Sequence, residues 1–229
     1  MMHIPDGYLS PQTYLPFYAF IIAYLAIAAR KVKSTIRSRY VPLLALGAAF
    51  SFLIMMFNIP IPGGSSGHAV GGVIVAILLG PWAASIAISI ALIVQALLFG
   101  DGGITAIGAN CFNMALVIPF IGYYTYKLIA GKAAITSSRR WVAGAIAGYL
   151  AINVAALCAG IEFGIQPLIA LAPDGHPLYA PYPLAVAVPA MVIEHIILFG
   201  FVEAIVTALV IKYLQKGENE LLTIYGGAE

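Results

Sequence analysis

Hydrophobic residues occupy long unbroken runs, and short polar or Gly-Pro segments separate one run from the next. A helix that crosses the hydrocarbon core of a bilayer needs about 20 mostly apolar residues. The pattern therefore predicts an all-α integral membrane protein with seven transmembrane helices in a single domain over residues 1–229. The predicted spans are 14–29, 41–57, 69–79, 82–99, 111–126, 141–160 and 184–211.

The composition agrees with a membrane location. Of the 229 residues 62% are hydrophobic and 9% are charged, whereas soluble domains average about 25% charged residues. A cytosolic enzyme is excluded, and membrane lipid is the expected surrounding. The net charge of +2 gives no indication of a nucleic-acid partner. Cys111 and Cys158 lie inside apolar runs, so neither a disulfide framework nor a thiolate metal site is expected.

The basic residues predict the topology. All eleven Lys and Arg fall within 30–39, 127–140 and 212–216. Counting the runs on either side of Gly80-Pro81 as two spans places all of them on one side of the membrane, and counting one broken helix would divide them. The positive-inside rule therefore predicts seven spans, an outer N-terminus and a cytoplasmic C-terminus. The N-terminal segment and the loop that carries His68 then share the outer face, so His3 and His68 form a candidate pair.

A free α-amine that is closely followed by a histidine can chelate a metal through the amine, a deprotonated backbone amide and the imidazole Nδ1. Such near-planar nitrogen donors suit Ni(II) or Cu(II). If the chain begins at Met2, Met2 and His3 supply three donors and His68 supplies the fourth. If it begins at Met1, Met1 joins the metal ligands instead of or besides His68. The alternative is a terminal histidine without a role and a loop histidine that caps the following helix.

Further residues are assigned supporting roles. Ala45 and Ala49, at small-xxx-small spacing on the second span, are predicted to let a partner helix approach closely. Asp6 and Asp101 are expected to be solvated loop acids. Neutral polar residues near the outer ends of the spans are predicted to orient the imidazoles, with backbone capping as the alternative. These residues are Asn58, Ser65, Ser66, Gln95 and Asn110.

Several segments of the first half resemble the CbiM/NikM family, the substrate-binding S components of energy-coupling-factor (ECF) transporters for cobalt and nickel. They are Met2-His3-Ile4-Pro5-Asp6-Gly7, Asn58-Ile59-Pro60-Ile61-Pro62-Gly63-Gly64-Ser65-Ser66-Gly67-His68, Gly80-Pro81-Trp82-Ala83-Ala84, Gln95-Ala96-Leu97-Leu98-Phe99-Gly100-Asp101-Gly102-Gly103-Ile104, Gly108-Ala109-Asn110 and Asn113-Met114-Ala115. The first segment is more similar to the nickel branch. In the family's motif the histidine is the second residue, and here it is the third, so initiation at Met2 would restore the pattern.

The resemblance implies an outward-facing metal site made by the amino terminus and the loop histidine. It also implies that Ni(II), or Co(II), is captured and imported across the cytoplasmic membrane of a prokaryote. The implied partners are a transmembrane coupling subunit, cytoplasmic ATPase subunits and a small additional membrane subunit. No G-x-x-x-x-G-K-[ST] motif occurs in the chain, so ATP hydrolysis is expected on a separate subunit.

Two alternative functions use other residues. Gly64-Ser65-Ser66-Gly67 also fits a rhomboid-like intramembrane serine protease in which Ser66 pairs with His195. Against it, His195 lies about 16 Å into its span, at a helical rise of about 1.5 Å per residue. A proton-coupled metal transporter would instead use Glu194 and His195. Glu203, in the same apolar run, is assigned no role beyond helix packing or a buried hydrogen-bond network.

Overall fold

The structure is a computed structural model that describes residues 2–35, 41–61, 65–217 and 221–222. Within these ranges the chain forms eight helices and a two-stranded hairpin. The helices are α1 (Pro11–Thr35), α2 (Val41–Met55), α3 (Gly72–Leu79), α4 (Pro81–Phe99), α5 (Ile107–Ala130), α6 (Ser138–Gly164), α7 (Gln166–Ile169) and α8 (Leu184–Gly217). The hairpin strands are β1 (Ile59–Ile61) and β2 (Ser65–Gly67), and π-helical turns occur at Gln95–Phe99, Cys111–Val117 and His195–Phe199.

Five helical runs in the described part of the chain are long and apolar enough to cross a membrane: α1, α4, α5, α6 together with α7, and α8. This confirms the prediction of an all-α membrane protein. The other two predicted spans correspond to shorter helices, α2 with 15 residues and α3 with 8. At about 1.5 Å per residue, α3 rises only about 12 Å, which is less than half of the hydrocarbon core. The count of seven spans therefore stays a prediction.

Prolines stand at several helix starts. The carbonyl of Ser10 accepts the N–H groups of Thr13 and Tyr14, both at 2.9 Å, as α1 begins at Pro11. The break predicted at Gly80-Pro81 is present, because Gly80 has a positive φ of 78° and Pro81 opens α4. Proline suits a first helical position, where its missing N–H would have no partner in the helix.

Small residues let α6 lie close to its neighbours. A side chain at Gly144 would meet the Cδ1 atom of Ile211 at 2.3 Å, and one at Gly148 would meet the Glu203 carbonyl oxygen and the Thr207 hydroxyl at 3.1 Å. Because the hydrophobic effect does not drive helices together within lipid, their association depends on van der Waals packing. Close backbone approach of this kind increases that packing. The short helix α3 lies in the interior of the protein, with nearly all of its residues buried.

The Gly-Ser segment before His68, expected as a flexible loop, is ordered over its described residues. β1 and β2 pair antiparallel, with Ile59 opposite Gly67 and Pro60 opposite Ser66. A side chain at Gly67 would come within 2.4 Å of the Phe199 ring, so only glycine fits between this ring and the strand. The hairpin therefore ends with His68 placed directly against α8.

The contact between α1 and α5 depends on Gly108. A Cβ at this position would lie 2.7 Å from the Tyr18 backbone nitrogen and 2.8 Å from the Phe17 carbonyl carbon. Gly108→Ala is expected to push α1 outward and cost about 1–3 kcal/mol, measured as a lower melting temperature in detergent. The matched control is Gly217→Ala, because a Cβ there meets nothing within 4 Å. Equal melting temperatures for both variants would contradict this close packing.

Candidate metal centre

The N-terminal segment folds into the protein and is held there through the backbone of Ile4. Asn110 Oδ1 accepts the Ile4 N–H at 2.8 Å, and Asn110 Nδ2 donates to the Ile4 carbonyl at 3.1 Å. The N–H of Gly103 donates to the same carbonyl at 2.8 Å. These bonds fix the residue directly after His3, and Met2, His3 and Ile4 are all buried.

Asp6 anchors the same segment to the start of α5. Its carboxylate accepts hydrogen bonds from the Thr105 hydroxyl at 2.5 Å, from the Thr105 N–H at 2.8 Å and from the Ile104 N–H at 3.1 Å. The Thr105 hydroxyl bond is the main cause of a lowered pKa of Asp6, with burial acting in the opposite direction. Asp6 is thus an exposed loop acid, as expected, and its carboxylate also anchors the N-terminal segment.

Helix α7 and the loop that follows it cover the segment further along. The Ala180 N–H donates to the Tyr8 carbonyl at 3.1 Å, and the Ser10 N–H donates to Gln166 Oε1 at 2.9 Å. Gly103 lies so close to Asp6 that a Cβ would sit 2.3 Å from the Asp6 backbone nitrogen. The N-terminal segment therefore occupies a fitted groove between α5, α7 and these loops.

The structure brings His3 and His68 together. Their ring centroids are 4.7 Å apart at an interplanar angle of 69°, and the two residues are 0% and 3% exposed. The Nε2 atoms of both rings are buried without a hydrogen-bond partner among the described residues. Buried polar atoms in proteins nearly always have a partner, so two adjacent imidazole nitrogens without one indicate a place for a ligand.

The second nitrogen of each ring has a neighbour. His68 Nδ1 lies 3.0 Å from the Ala69 carbonyl oxygen. His3 Nδ1 lies 2.8 Å from Asp101 Oδ1, at ion-pair distance but outside the angles of a good hydrogen bond. Chelation through His3 Nδ1, as the sequence predicts, therefore requires this ring to turn over and leave Asp101. Without that turn, Nε2 would be the ring nitrogen open to a metal, and Asp101 would support the opposite side of the ring.

The electrostatics of the pair favour a cation. Burial, followed by the proximity of His3, lowers the pKa of His68 to about 3, so this imidazole is neutral at pH 7 and needs to lose no proton before it binds a metal. Burial opposes the ionisation of Asp101, but contact with His3 outweighs it and lowers the pKa of this carboxyl. Asp101 is thus a partly buried carboxylate beside the two rings, and the expectation of a solvated loop acid was wrong for this residue.

Backbone donors are needed to complete a metal site. In the ranges that the structure describes, no three His, Cys, Asp or Glu side chains are grouped so as to hold a metal ion. The backbone nitrogen of His3 makes no hydrogen bond to another described residue, whereas that of Ile4 is bound to Asn110. Met1 lies outside the described residues, so its predicted part in the site stays a prediction.

Two of the residues predicted to orient the imidazoles, Asn110 and Gln95, contact the segments that carry His3 and Asp101. Asn110 is beside His3, since a Cβ at Gly102 would be 3.1 Å from Asn110 Nδ2 and 3.8 Å from His3 Cβ. Gln95 is fully buried, and its carbonyl accepts the Asp101 N–H at 3.1 Å. Both residues thus act on the backbone of the segments that carry His3 and Asp101.

Asn58, Ser65 and Ser66 make no such contact with the imidazoles in the described part of the structure. The Ser66 hydroxyl donates to Asn58 Oδ1 at 3.4 Å across the hairpin, and Asn58 is exposed. Ser65 pairs through its backbone with Ile61, and its side chain lies outside the described residues. Asn58 and Ser66 therefore stabilise the hairpin that precedes His68.

The comparison with known proteins identifies the family. A family model for the cobalt uptake substrate-specific transmembrane region, CbiM, matches residues 3–221. The chain belongs to the CbiM family. The matched region begins at His3, one residue after Met2, and includes His68, Asp101 and Asn110.

CbiM-related proteins carry the names of metal transporters. The fused nickel transport protein NikMN of Rhodobacter capsulatus is 53% identical over 221 residues, which are 96% of this chain and 64% of that protein. The cobalt transport protein CbiM of Lachnoclostridium phytofermentans is 40% identical over 129 residues, 56% of this chain and 52% of that protein. A crystal structure of a truncated transition metal transporter has 50% identity and a TM-score of 0.87, and the match covers 93% of this chain and 98% of that one.

These relatives are metal transport proteins and not enzymes, which confirms that no enzymatic activity is expected of this CbiM-family chain. The rhomboid-like alternative is wrong. The Nδ1 atom of His195 lies 2.7 Å from the Met191 carbonyl oxygen, and among the described residues Ser66 is hydrogen-bonded to Asn58 and not to His195. Glu194 Oε1 lies 3.5 Å from His195 Nδ1, and the proton-coupled alternative stays a prediction.

Sequence reasoning assigned no role in the centre to Glu203. Its Oε2 atom accepts the N–H groups of Val70 at 2.7 Å and Gly71 at 3.0 Å, two and three residues after His68. One feature of the sequence could have identified Glu203. A carboxylate within a membrane span is costly, so it is expected to have a specific partner.

The Asn110 contacts predict the behaviour of the N-terminal segment without metal. Asn110→Ala removes both side-chain bonds to Ile4, so the backbone amides of Ile4 and Asp6 should exchange with deuterium about 10-fold faster or more, since each bond contributes about 1 kcal/mol. The matched control is Asn153→Ala, because Asn153 Nδ2 bonds only to the Tyr149 carbonyl within α6. Unchanged exchange at these amides in the Asn110 variant would refute the anchoring role.

Proposed function

We propose that this chain is the substrate-binding S component of an ECF-type transporter, which captures Ni(II) at the outer face and imports it across the cytoplasmic membrane. The observation that carries the proposal is the buried His3–His68 pair, with ring centroids 4.7 Å apart and both Nε2 atoms unpartnered among the described residues. The nickel and cobalt transport names of the relatives support the same substrate class.

The donor set favours nickel over cobalt. The Met2 amine, the His3 amide, His3 Nδ1 once this ring has turned away from Asp101, and the His68 ring would place four nitrogen atoms around the metal. Nitrogen sites bind Ni(II) more tightly than Co(II) in the general order of divalent metals, and a square-planar arrangement suits Ni(II). Co(II) can use the same atoms, so it is the second substrate of this proposal.

Contacts between helix ends support the proposed topology of seven spans. Lys31, near the end of α1, lies 5.1 Å from the ring centre of Trp82, at the start of α4. α1 leaves the outer face and α4 starts at the level where α1 ends, so the chain between them has to cross the membrane an even number of times. α2 and α3 are the helices available for those two crossings. Lys212 lies 5.6 Å from the Trp141 ring and places the end of α8 beside the start of α6.

The transport partners are also part of the proposal. A transmembrane coupling subunit would dock against α2, where Ala45 and Ala49 are both exposed and small enough for close helix approach. Cytoplasmic ATPase subunits would supply the energy, and a small additional membrane subunit would complete the assembly. Copurification of these subunits with the chain, lost on Ala45→Leu together with Ala49→Leu, tests this arrangement.

The metal site predicts a specific form of bound nickel. The purified protein should bind one equivalent of Ni(II) as a yellow, diamagnetic, square-planar complex, because the four strong nitrogen donors of the proposed set would lie near one plane. His68→Ala should weaken binding far more than His176→Ala, since the His176 side chain is 63% exposed beside Asp174. Calorimetric titration measures the affinities of the two variants, and the visible spectrum reports the coordination geometry. Paramagnetic octahedral nickel, or an equal loss in the two variants, would contradict the site.

The amine donor can be tested separately. A chain that begins at Met2 should bind Ni(II) tightly, and acetylation of its α-amine should abolish tight binding because an amide nitrogen replaces the amine. The control is the same chain with a C-terminal tag and a free amine. Mass spectrometry establishes which residue begins the native chain. If the acetylated chain retains full affinity, the amine is not a ligand.

A further inference from the structure

Glu203 is a fully buried carboxylate in α8 whose hydrogen bonds leave its own helix. Its Oε2 atom accepts the N–H groups of Val70 and Gly71, 133 and 132 residues away in the sequence. A carboxylate inside a membrane span is costly and is retained where it has a particular partner. Here the partners are backbone amides of the loop between β2 and α3.

This loop has no regular structure of its own to hold it. Residues 68–70 follow β2, and Gly71 adopts a left-handed conformation with a φ of 67° before α3 begins. The Ser51 hydroxyl donates to the Val70 carbonyl at 2.7 Å, and Glu203 accepts from the N–H of the same residue. The peptide groups that follow His68 are therefore fixed by side chains of α2 and α8.

α8 also touches the loop on the other side of His68. Phe199, one turn before Glu203 on the same helix face, occupies the space that a side chain at Gly67 would need. α8 thus contacts the residue before His68 and the second residue after it. The His68 ring, which is 3% exposed, has little room to move while both contacts are present.

We infer that Glu203 is a positioning residue for the metal centre, which holds the His68 loop through hydrogen bonds to its backbone. The inference rests on the proposed function, because it takes His68 as a metal ligand. Without an acceptor at this position, two buried N–H groups would be left unpaired. The loop would turn to find other partners and carry the His68 ring away from His3.

The role depends on where the acceptor oxygen lies. Glu203→Gln keeps a carbonyl oxygen at the same distance along the side chain, so the Ni(II) affinity and the visible spectrum should remain close to wild type. Glu203→Asp keeps the carboxylate and withdraws it by one methylene from the two amides. This variant should lose about 10- to 100-fold in Ni(II) affinity, as supporting residues of metal sites do. Its nickel spectrum should also change, because His68 no longer completes the plane.

Glu162→Asp is the matched control. Glu162 is also a buried membrane carboxylate, 4% exposed, and accepts a hydrogen bond from Asn113 Nδ2 at 2.8 Å. Shortening the Glu162 side chain by one methylene should leave the nickel spectrum unchanged. Thermal unfolding of all variants in detergent shows whether each one is folded.

The outcomes separate the inference from the proposed function. If the wild-type chain binds no Ni(II), both fail. If the wild type binds and His68→Ala does not, but Glu203→Asp binds like the wild type, only the inference fails. It also fails if Glu203→Gln loses as much as Glu203→Asp, if Glu162→Asp changes the spectrum equally, or if Glu203→Asp does not fold.

Discussion

The position of His3 depends on hydrogen bonds that other segments make to the backbone just after it. Chain ends are usually poorly ordered, and fixing each residue costs about 1–2 kcal/mol of conformational entropy. Asn110 offsets this cost by satisfying both the N–H and the carbonyl of Ile4, and Thr105 and Ile104 bind the Asp6 carboxylate. A terminal residue can serve as a precise part of a buried centre only because these partners hold the segment.

The hydrophobic pattern predicted the five long helices, and the placement of the basic residues predicted the pairing of the two histidines. The first predicted run, 14–29, lies within α1 (Pro11–Thr35), and the last, 184–211, lies within α8 (Leu184–Gly217). The location of His3 and His68 on one face came from the placement of the basic residues, which reports topology directly. The two rings are in contact in the structure, as that argument requires.

The sequence did not show which neighbour each polar side chain faces. Nearness to the outer face did not distinguish Asn110, which lies beside His3, from Asn58, which bonds to Ser66 on the exposed hairpin. The hairpin and the π-helical turns escaped prediction because hydropathy reports burial and not backbone register. The contact of Asp101 with His3, 98 positions apart, arises only when the N-terminal segment packs against the end of α4.

The two histidines stand on segments without regular structure, and each segment is fixed by a side chain from a different helix. Asn110 of α5 holds the residue after His3, and Glu203 of α8 holds the residues after His68. A metal that binds both rings in the proposed site would therefore join α5 to α8, and its affinity would depend on how these helices are packed. Thermodynamic linkage then requires that any partner which moves α8 relative to α5 also changes the affinity for the metal. In such a design the two hydrogen-bonding side chains connect the outer metal centre to the helices that reach the opposite face.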